Sequence, residues 1–245
     1  MKKPLYIFIF LSMPLFSLAQ SDNYLMLFID KSISVKAQNK QQSNFIYALI
    51  KKHCVSDNAT IEVRFLFENS ATVSSKVFSY QAPIFSNDNF RKEDIALQKQ
   101  LHKSKIKRLR RKFAKSVVNY IASFESNAKQ TEIVSAFVPI ARNRSKHLKV
   151  VFLSDMLESS KRFRYMDTYP FTSEKKALLG SKRDIQKLLK IFNIPEKRSK
   201  PIEIHCVLPV PSDTQQKAFQ FVEVYWRSFF NFFGISNHQI KFSTI

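Results

Sequence analysis

Asp30, Ser32 and Ser34 are the residues whose types and spacing first suggest chemistry, standing as Asp-x-Ser-x-Ser at the end of the uncharged run from Tyr24 to Ile29. A carboxylate and two hydroxyls at alternate positions of a tight loop can turn toward one point. Oxygen donors without nitrogen or sulfur suit a hard cation, Mg²⁺ foremost and Mn²⁺ or Ca²⁺ after it. Other chemistries lack their residues: no Ser-His-Asp or Cys-His set and no glycine-rich phosphate loop stands out, and His53, His102, His147, His205 and His238 are scattered. Ser32 and Ser34 are also ordinary turn residues, so the downstream partners decide.

The elements that would position these groups are legible from the spacing of apolar residues. Tyr24 to Ile29 is about the length of a strand buried on both faces. Behind the loop, Gln38 to His53 puts Phe45, Ile46, Leu49 and Ile50 on one helical stripe. Ala59 to Phe67 alternates Ile61, Val63, Phe65 and Phe67 with polar residues, a half-buried strand. The short gap before Thr72 to Tyr80 permits only an antiparallel hairpin. Asn89 to Phe124 is a long basic helical region with Ile106, Leu109, Phe113, Val117, Ile121 and Phe124 at helical spacing. As one helix it would reach about 54 Å, so it either breaks near Leu101 to Ser104 or its first half extends beyond the body.

Thr131 opens the next helix, with Ile133, Ala136, Phe137 and Ile140 facing inward, and His147 to Leu153 is a buried strand ending at Ser154-Asp155. A long loop, 156–180, leads to a helix starting at Ser181, with Asp184 at a capping-box position and Ile185, Leu188, Leu189 and Phe192 as its stripe. Pro201 to Leu208 is the fifth strand. Ser212 and Gln215 form a second capping box, before a helix that buries Phe219, Val222, Trp226, Phe229 and Phe233 and stops at Gly234. Gln239 to Thr244 is the last strand.

This alternation specifies an α/β fold: a doubly wound, mostly parallel six-stranded sheet of order 3-2-1-4-5-6, with strand 3 antiparallel and helices on both faces. One domain, 20–245, with a basic helical insertion around 86–125, accounts for it. In such a sheet strand 1 lies beside strand 4, and a crevice opens beyond their carboxyl ends. Asp30 and Asp155 therefore converge there.

With Asp-x-Ser-x-Ser after strand 1, Thr131 before the helix preceding strand 4, and Asp155 after strand 4, the chain resembles the von Willebrand factor A (vWA) domains. Their metal-ion-dependent adhesion site, or MIDAS, draws on those three loops. The resemblance runs from Tyr24 to the final strand. It implies that Ser32, Ser34 and Thr131 coordinate Mg²⁺ through their hydroxyls, that Asp30 and Asp155 act directly or through water, and that a carboxylate of a protein partner fills the open position. Many members carry glycines before the Thr and after the second Asp. Here Lys129-Gln130 and Met156 stand there, in a chain with two glycines and little freedom at φ > 0. Thr131 and Asp155 have plainer uses too, as a helix cap and a turn residue. Haloacid-dehalogenase-like phosphatases also begin with an Asp after strand 1, but need a second Asp two positions on as proton donor. Ser32 cannot be that acid at neutral pH, and no enzyme is expected.

Lys2 and Lys3, the apolar run Leu5 to Leu18, and the small residues Ser17 and Ala19 read as a signal peptide, 1–19, cut after Ala19 for a secreted or periplasmic location. Pro14 interrupts the run, which falls short of the roughly 20 apolar residues of a span, and no later stretch could cross a bilayer. Cys54 and Cys206 fall far apart in this topology, so two buried thiols are expected rather than a disulfide.

The formal net charge of +21 favours an acidic protein, nucleic acid or an anionic envelope surface as partner. The 156–180 loop brings Lys161, Arg162, Arg164, Tyr165, Tyr169 and Phe171 beside the crevice, residue types that anchor interfaces. The basic run of the long helix supplies Arg108, Arg110 and Arg111. A solvated face is the plain reading of each. Two functions follow. One is a secreted or periplasmic binding module that captures an acidic protein partner through a MIDAS-type site, within an envelope or transfer assembly. The other is a cationic nucleic-acid or anionic-surface binder whose metal site is vestigial.

Overall fold

The computed structural model describes residues 23–30, 39–53, 57–66, 77–123, 131–160, 162–163, 171–195, 201–210 and 219–244. Among them β1 (Asn23–Asp30), β2 (Thr60–Leu66), β3 (Phe78–Gln81), β4 (His147–Leu153), β5 (Ile202–Leu208) and β6 (Ile240–Thr244) form one sheet of order β3-β2-β1-β4-β5-β6. Only β3 runs antiparallel, against β2. This is the expected doubly wound topology, with β1 and β4 side by side.

The period of two along β1 divides the core. Leu25, Leu27 and Ile29 point to one face, where Ile61, Val63, Phe65, Val151 and Leu153 join them beneath α1 (Asn39–His53) and α2 (Ile95–Ser123). Met26 and Phe28 point to the other, with Val150, Phe152, Ile204 and Cys206 beneath α3 (Phe137–Arg142), α4 (Glu174–Phe192) and α5 (Val222–Phe232). Phe28 stacks on Phe152 with ring centroids 5.0 Å apart. Phe137, Tyr225, Trp226, Phe229, Phe230 and Phe233 are fully or almost fully buried on this side, each contributing about 1.5–3 kcal/mol of burial free energy. Gly234, at φ 81°, ends the α5 segment.

Several boundaries differ from expectation. α2 is continuous for 29 residues after a short 3-10 turn, so the long basic region does not break near Leu101. Its first buried residue is Ile106, and the turns before it lie outside the core. α4 starts at Glu174, not Ser181: Ser173 caps it by accepting the Lys176 N–H at 3.3 Å, which shortens the preceding loop. Gly180 is inside the helix because the Phe171 ring packs against it, 2.9 Å from where a Cβ would stand. Asp184 consequently caps nothing; it is buried and accepts the Tyr225 hydroxyl of α5 at 2.9 Å. Cys206 is a free buried thiol whose pKa burial pushes up, while Cys54 and the Ser212–Gln215 capping box lie outside the described residues. No described helix is long and apolar enough to cross a membrane.

Candidate metal centre

β1 ends on Asp30, which is fully buried. The parallel register pairs Ile29 with Leu153, so the next residues, Asp30 and Ser154, leave the sheet side by side. Ser154 Oγ donates to Asp30 Oδ2 at 2.9 Å, and Thr131 Oγ1 donates to Asp30 Oδ1 at 3.3 Å. One carboxylate thus joins the end of β1 to both the loop after β4 and the segment before α3. Asp155 lies on that same loop and is 6% exposed; its Oδ1 accepts the Leu157 N–H at 2.9 Å, the turn use anticipated for it.

Thr131 does not cap its helix. A 3-10 turn, Val134–Ala136, precedes α3, and the N–H groups of Ile133 and Val134 bond Glu158 Oε2 at 2.6 and 2.8 Å. Glu158 Oε1 accepts the Ser160 N–H at 3.0 Å. Ser159 adds two bonds, its Oγ accepting the Thr131 N–H at 2.8 Å and its N–H reaching the Thr131 carbonyl at 3.0 Å. These bonds lock the two loops together and leave the Thr131 hydroxyl to Asp30. Burial pushes the Glu158 pKa up to about 7 against the pull of its hydrogen bonds.

Met156, where the resemblance to vWA domains would put a glycine, adopts φ 59°. A left-handed non-glycine residue costs on the order of 1 kcal/mol. It is held by complete burial of its side chain and by Trp226 Nε1–H, which bonds the Met156 carbonyl at 2.8 Å. Packing supplies here what glycine would have supplied by freedom.

Glu132 is fully buried, and its Oε1 accepts from Arg162 at 3.1 Å, with the guanidinium 5.4 Å from the centre of the Phe192 ring. Its Oε2 has no hydrogen-bond partner. Asp30, Glu132, Asp155 and Glu158 are thus four buried carboxylates on one strand end and two loops. Carboxylates in such a place are held by hydrogen bonds, countercharges or a cation.

The structure therefore brings Asp30 and Thr131 together, with Ser154 as a third member, and sets Asp155 beside them in sequence. Ser32 and Ser34 lie outside the described residues, as do Arg164, Tyr165 and Tyr169. Arg162 is engaged within the fold. Arg108 and Arg111 are exposed, but Arg110 is 6% exposed on the same side of α2 as Ile106 and Ala114, which corrects its assignment to a partner-facing surface. Sequence reasoning passed over Glu132, Ser154 and Glu158. Ser154 had a signal, since it directly precedes the candidate Asp155; Glu158 had none for its clamp, because two of the three amides it holds are 24 and 25 residues away.

No family model and no curated protein matches the sequence. Similar solved structures include proximal thread matrix protein 1 of the mussel byssus (11% identity, TM-score 0.42) and a von Willebrand factor type A protein from Catenulispora acidiphila (12%, 0.39). The ArnB paralog VWA2 from Sulfolobus acidocaldarius is another (12%, 0.42). They cover 92%, 85% and 93% of this chain, which spans only 44%, 43% and 42% of theirs. At this identity the likeness concerns the fold and assigns no residue a role.

Proposed function

We propose that this chain is a vWA-like interaction module that captures an acidic group of a protein partner at a divalent cation held above β1 and β4. The observation that carries this reading is Asp30, whose two oxygens each receive a hydroxyl from a different neighbouring loop. Asp30, Thr131 and Asp155, with Ser32 and Ser34 of the adjoining loop, would hold the ion. The donor set fits a hard cation, being entirely oxygen. When bound, Mg²⁺ supplies a Lewis-acidic coordination position for an incoming carboxylate. The chain's own residues preorganise that position: Glu158 fixes the Thr131 segment, and Trp226 fixes the turn at Met156.

The test is direct binding of Mn²⁺ or Mg²⁺ by calorimetry, together with the melting temperature with the metal and with a chelator. The wild-type chain binds and is stabilised. Asp30→Ala and Thr131→Val lose both responses while still folding. An Asp30→Ala chain with unchanged metal content would end the proposal. Partner capture in the native compartment should then be chelator-sensitive, whereas a cationic surface binder with a vestigial site would be chelator-indifferent and steeply salt-dependent.

A further inference from the structure

α2 holds nine lysines and arginines and no acidic residue. Leu97, Leu101, Lys105, Arg108, Lys112 and Lys115 follow one another by three or four residues, a single stripe about 27 Å long by helix rise. All six are exposed, opposite the buried stripe Ile106, Ala114, Val117 and Ile121. Arg111 is exposed next to them. Among the described residues, no ion pair engages a lysine or arginine of this stripe. Among the described residues, the like-charge repulsion along this stripe is therefore uncompensated.

The other end of the stripe is apolar. Leu97 is 56% and Leu101 53% exposed, although the helix could have turned polar residues outward there. The segment leading into α2 adds Ile84 and Phe90, also exposed, and Phe85 packs its ring against both Phe90 and His102, placing that segment on the same turns of the helix. Leu97 and Leu101 are thus in line with the cations of α2, and the exposed Ile84 and Phe90 lie on a segment packed against the same turns.

We infer that this outer face of α2 docks on an anionic lipid bilayer, the leucines entering the headgroup boundary while Lys105, Arg108, Arg111, Lys112 and Lys115 meet lipid phosphates. A basic helix face with aligned bulky apolar residues is the pattern of interfacial helices. Nucleic acid would complement the cations equally, but a phosphate backbone offers nothing to Leu97 and Leu101. An acidic protein surface of that length would need an apolar pocket at one end only. The surface is separate from the candidate metal centre, so this inference stands or falls independently of it.

The experiment is co-sedimentation with vesicles of phosphatidylcholine alone or mixed equally with phosphatidylglycerol. It uses the chain from Gln20, so that the apolar run Leu5–Leu18 cannot partition by itself. Binding is expected to the mixed vesicles only. Replacing Arg108, Arg111, Lys112 and Lys115 by Gln should weaken it about 100-fold. Leu97→Ser with Leu101→Ser should weaken it about tenfold and abolish the fraction that survives high salt. All six positions are exposed, and circular dichroism and melting confirm that the variants fold. Equal binding to both vesicle types, or leucine variants that bind like the wild type, would overturn the inference. So would a preference for duplex DNA or RNA over mixed vesicles that is blind to the leucines.

Discussion

Asp30 at the end of β1, Asp155 and Glu158 after β4 and Glu132 before α3 are folded out of water and tied to hydroxyls, backbone amides and one arginine. Eight of the nine cations of α2 are exposed on a helix whose first turns touch no core. The acidic region is overdetermined: Asp30 and Glu158 each hold a segment remote in sequence, so moving one group disturbs two loops. The basic region is underdetermined, since removing any one exposed side chain disturbs nothing else in the fold. A strongly basic protein has thus put acid where position matters and base where only accessibility does. Changes in the first region should register in stability and metal response, and changes in the second in surface binding alone.

The largest break in that contrast should come from Glu158→Ala. It strands the N–H groups of Ile133, Val134 and Ser160 in a buried site, and a loss of about 3–5 kcal/mol is expected by urea denaturation. A loss below about 1 kcal/mol would mean that water replaces the carboxylate and that the clamp is weak.

Glu158 also ties stability to pH. Its pKa is raised from 4.5 in the free side chain to about 7 in the fold. The folded state therefore holds a proton that the unfolded state has released between those values, and stability falls as pH rises through that window. The expected difference between pH 4.5 and pH 8 is on the order of 3 kcal/mol. Asp184, raised by burial, tilts the profile the same way. Glu158→Gln should flatten the slope relative to the wild type, and an unchanged profile would show that the hydrogen bonds keep the carboxylate ionised.

Much of this was legible beforehand for physical reasons. The sheet order follows from the apolar run of β1, the short hairpin to β3 and the alternation of elements. Asp30 and Thr131 could be set near one another from the strand order alone, and a hydrogen bond joins them in the fold. Glu158 was not legible, because a loop glutamate three residues past Asp155 carries no local trace of amides it meets only in the fold. The start of α4 was hidden by Gly180-Ser181, which reads as an interruption followed by a cap until Phe171 is seen filling the space beside the glycine. Arg110 is buried for a reason its charge conceals: four residues from both Ile106 and Ala114, it stands on the inner stripe of α2.

Thr131→Val should cost less than loss of Glu158, about 0.5–1.5 kcal/mol, because it removes one long hydrogen bond to Asp30 and keeps the shape. Its value is diagnostic. If the stability loss is small while the Mg²⁺-induced rise in melting temperature vanishes, Thr131 acts chiefly through the ion. If both effects are negligible, the hydroxyl is only a turn residue.

The smallest effect on stability belongs to α2, and its sign sharpens the contrast. Replacing Arg108, Arg111, Lys112 and Lys115 by Gln removes several like-charge pairs three and four residues apart, each unfavourable by roughly 0.2–0.5 kcal/mol. The variant should therefore be as stable as the wild type or up to about 1 kcal/mol more stable at low salt, with the gain fading as salt screens the repulsion. Calorimetric melting at two ionic strengths measures this without reference to any ligand. A loss of stability would show that these side chains pack against or pair with the rest of the chain, and the face would no longer be free to meet a surface. A gain would mean that the chain tolerates a helix less stable than it need be, as expected where the cations serve something outside the fold.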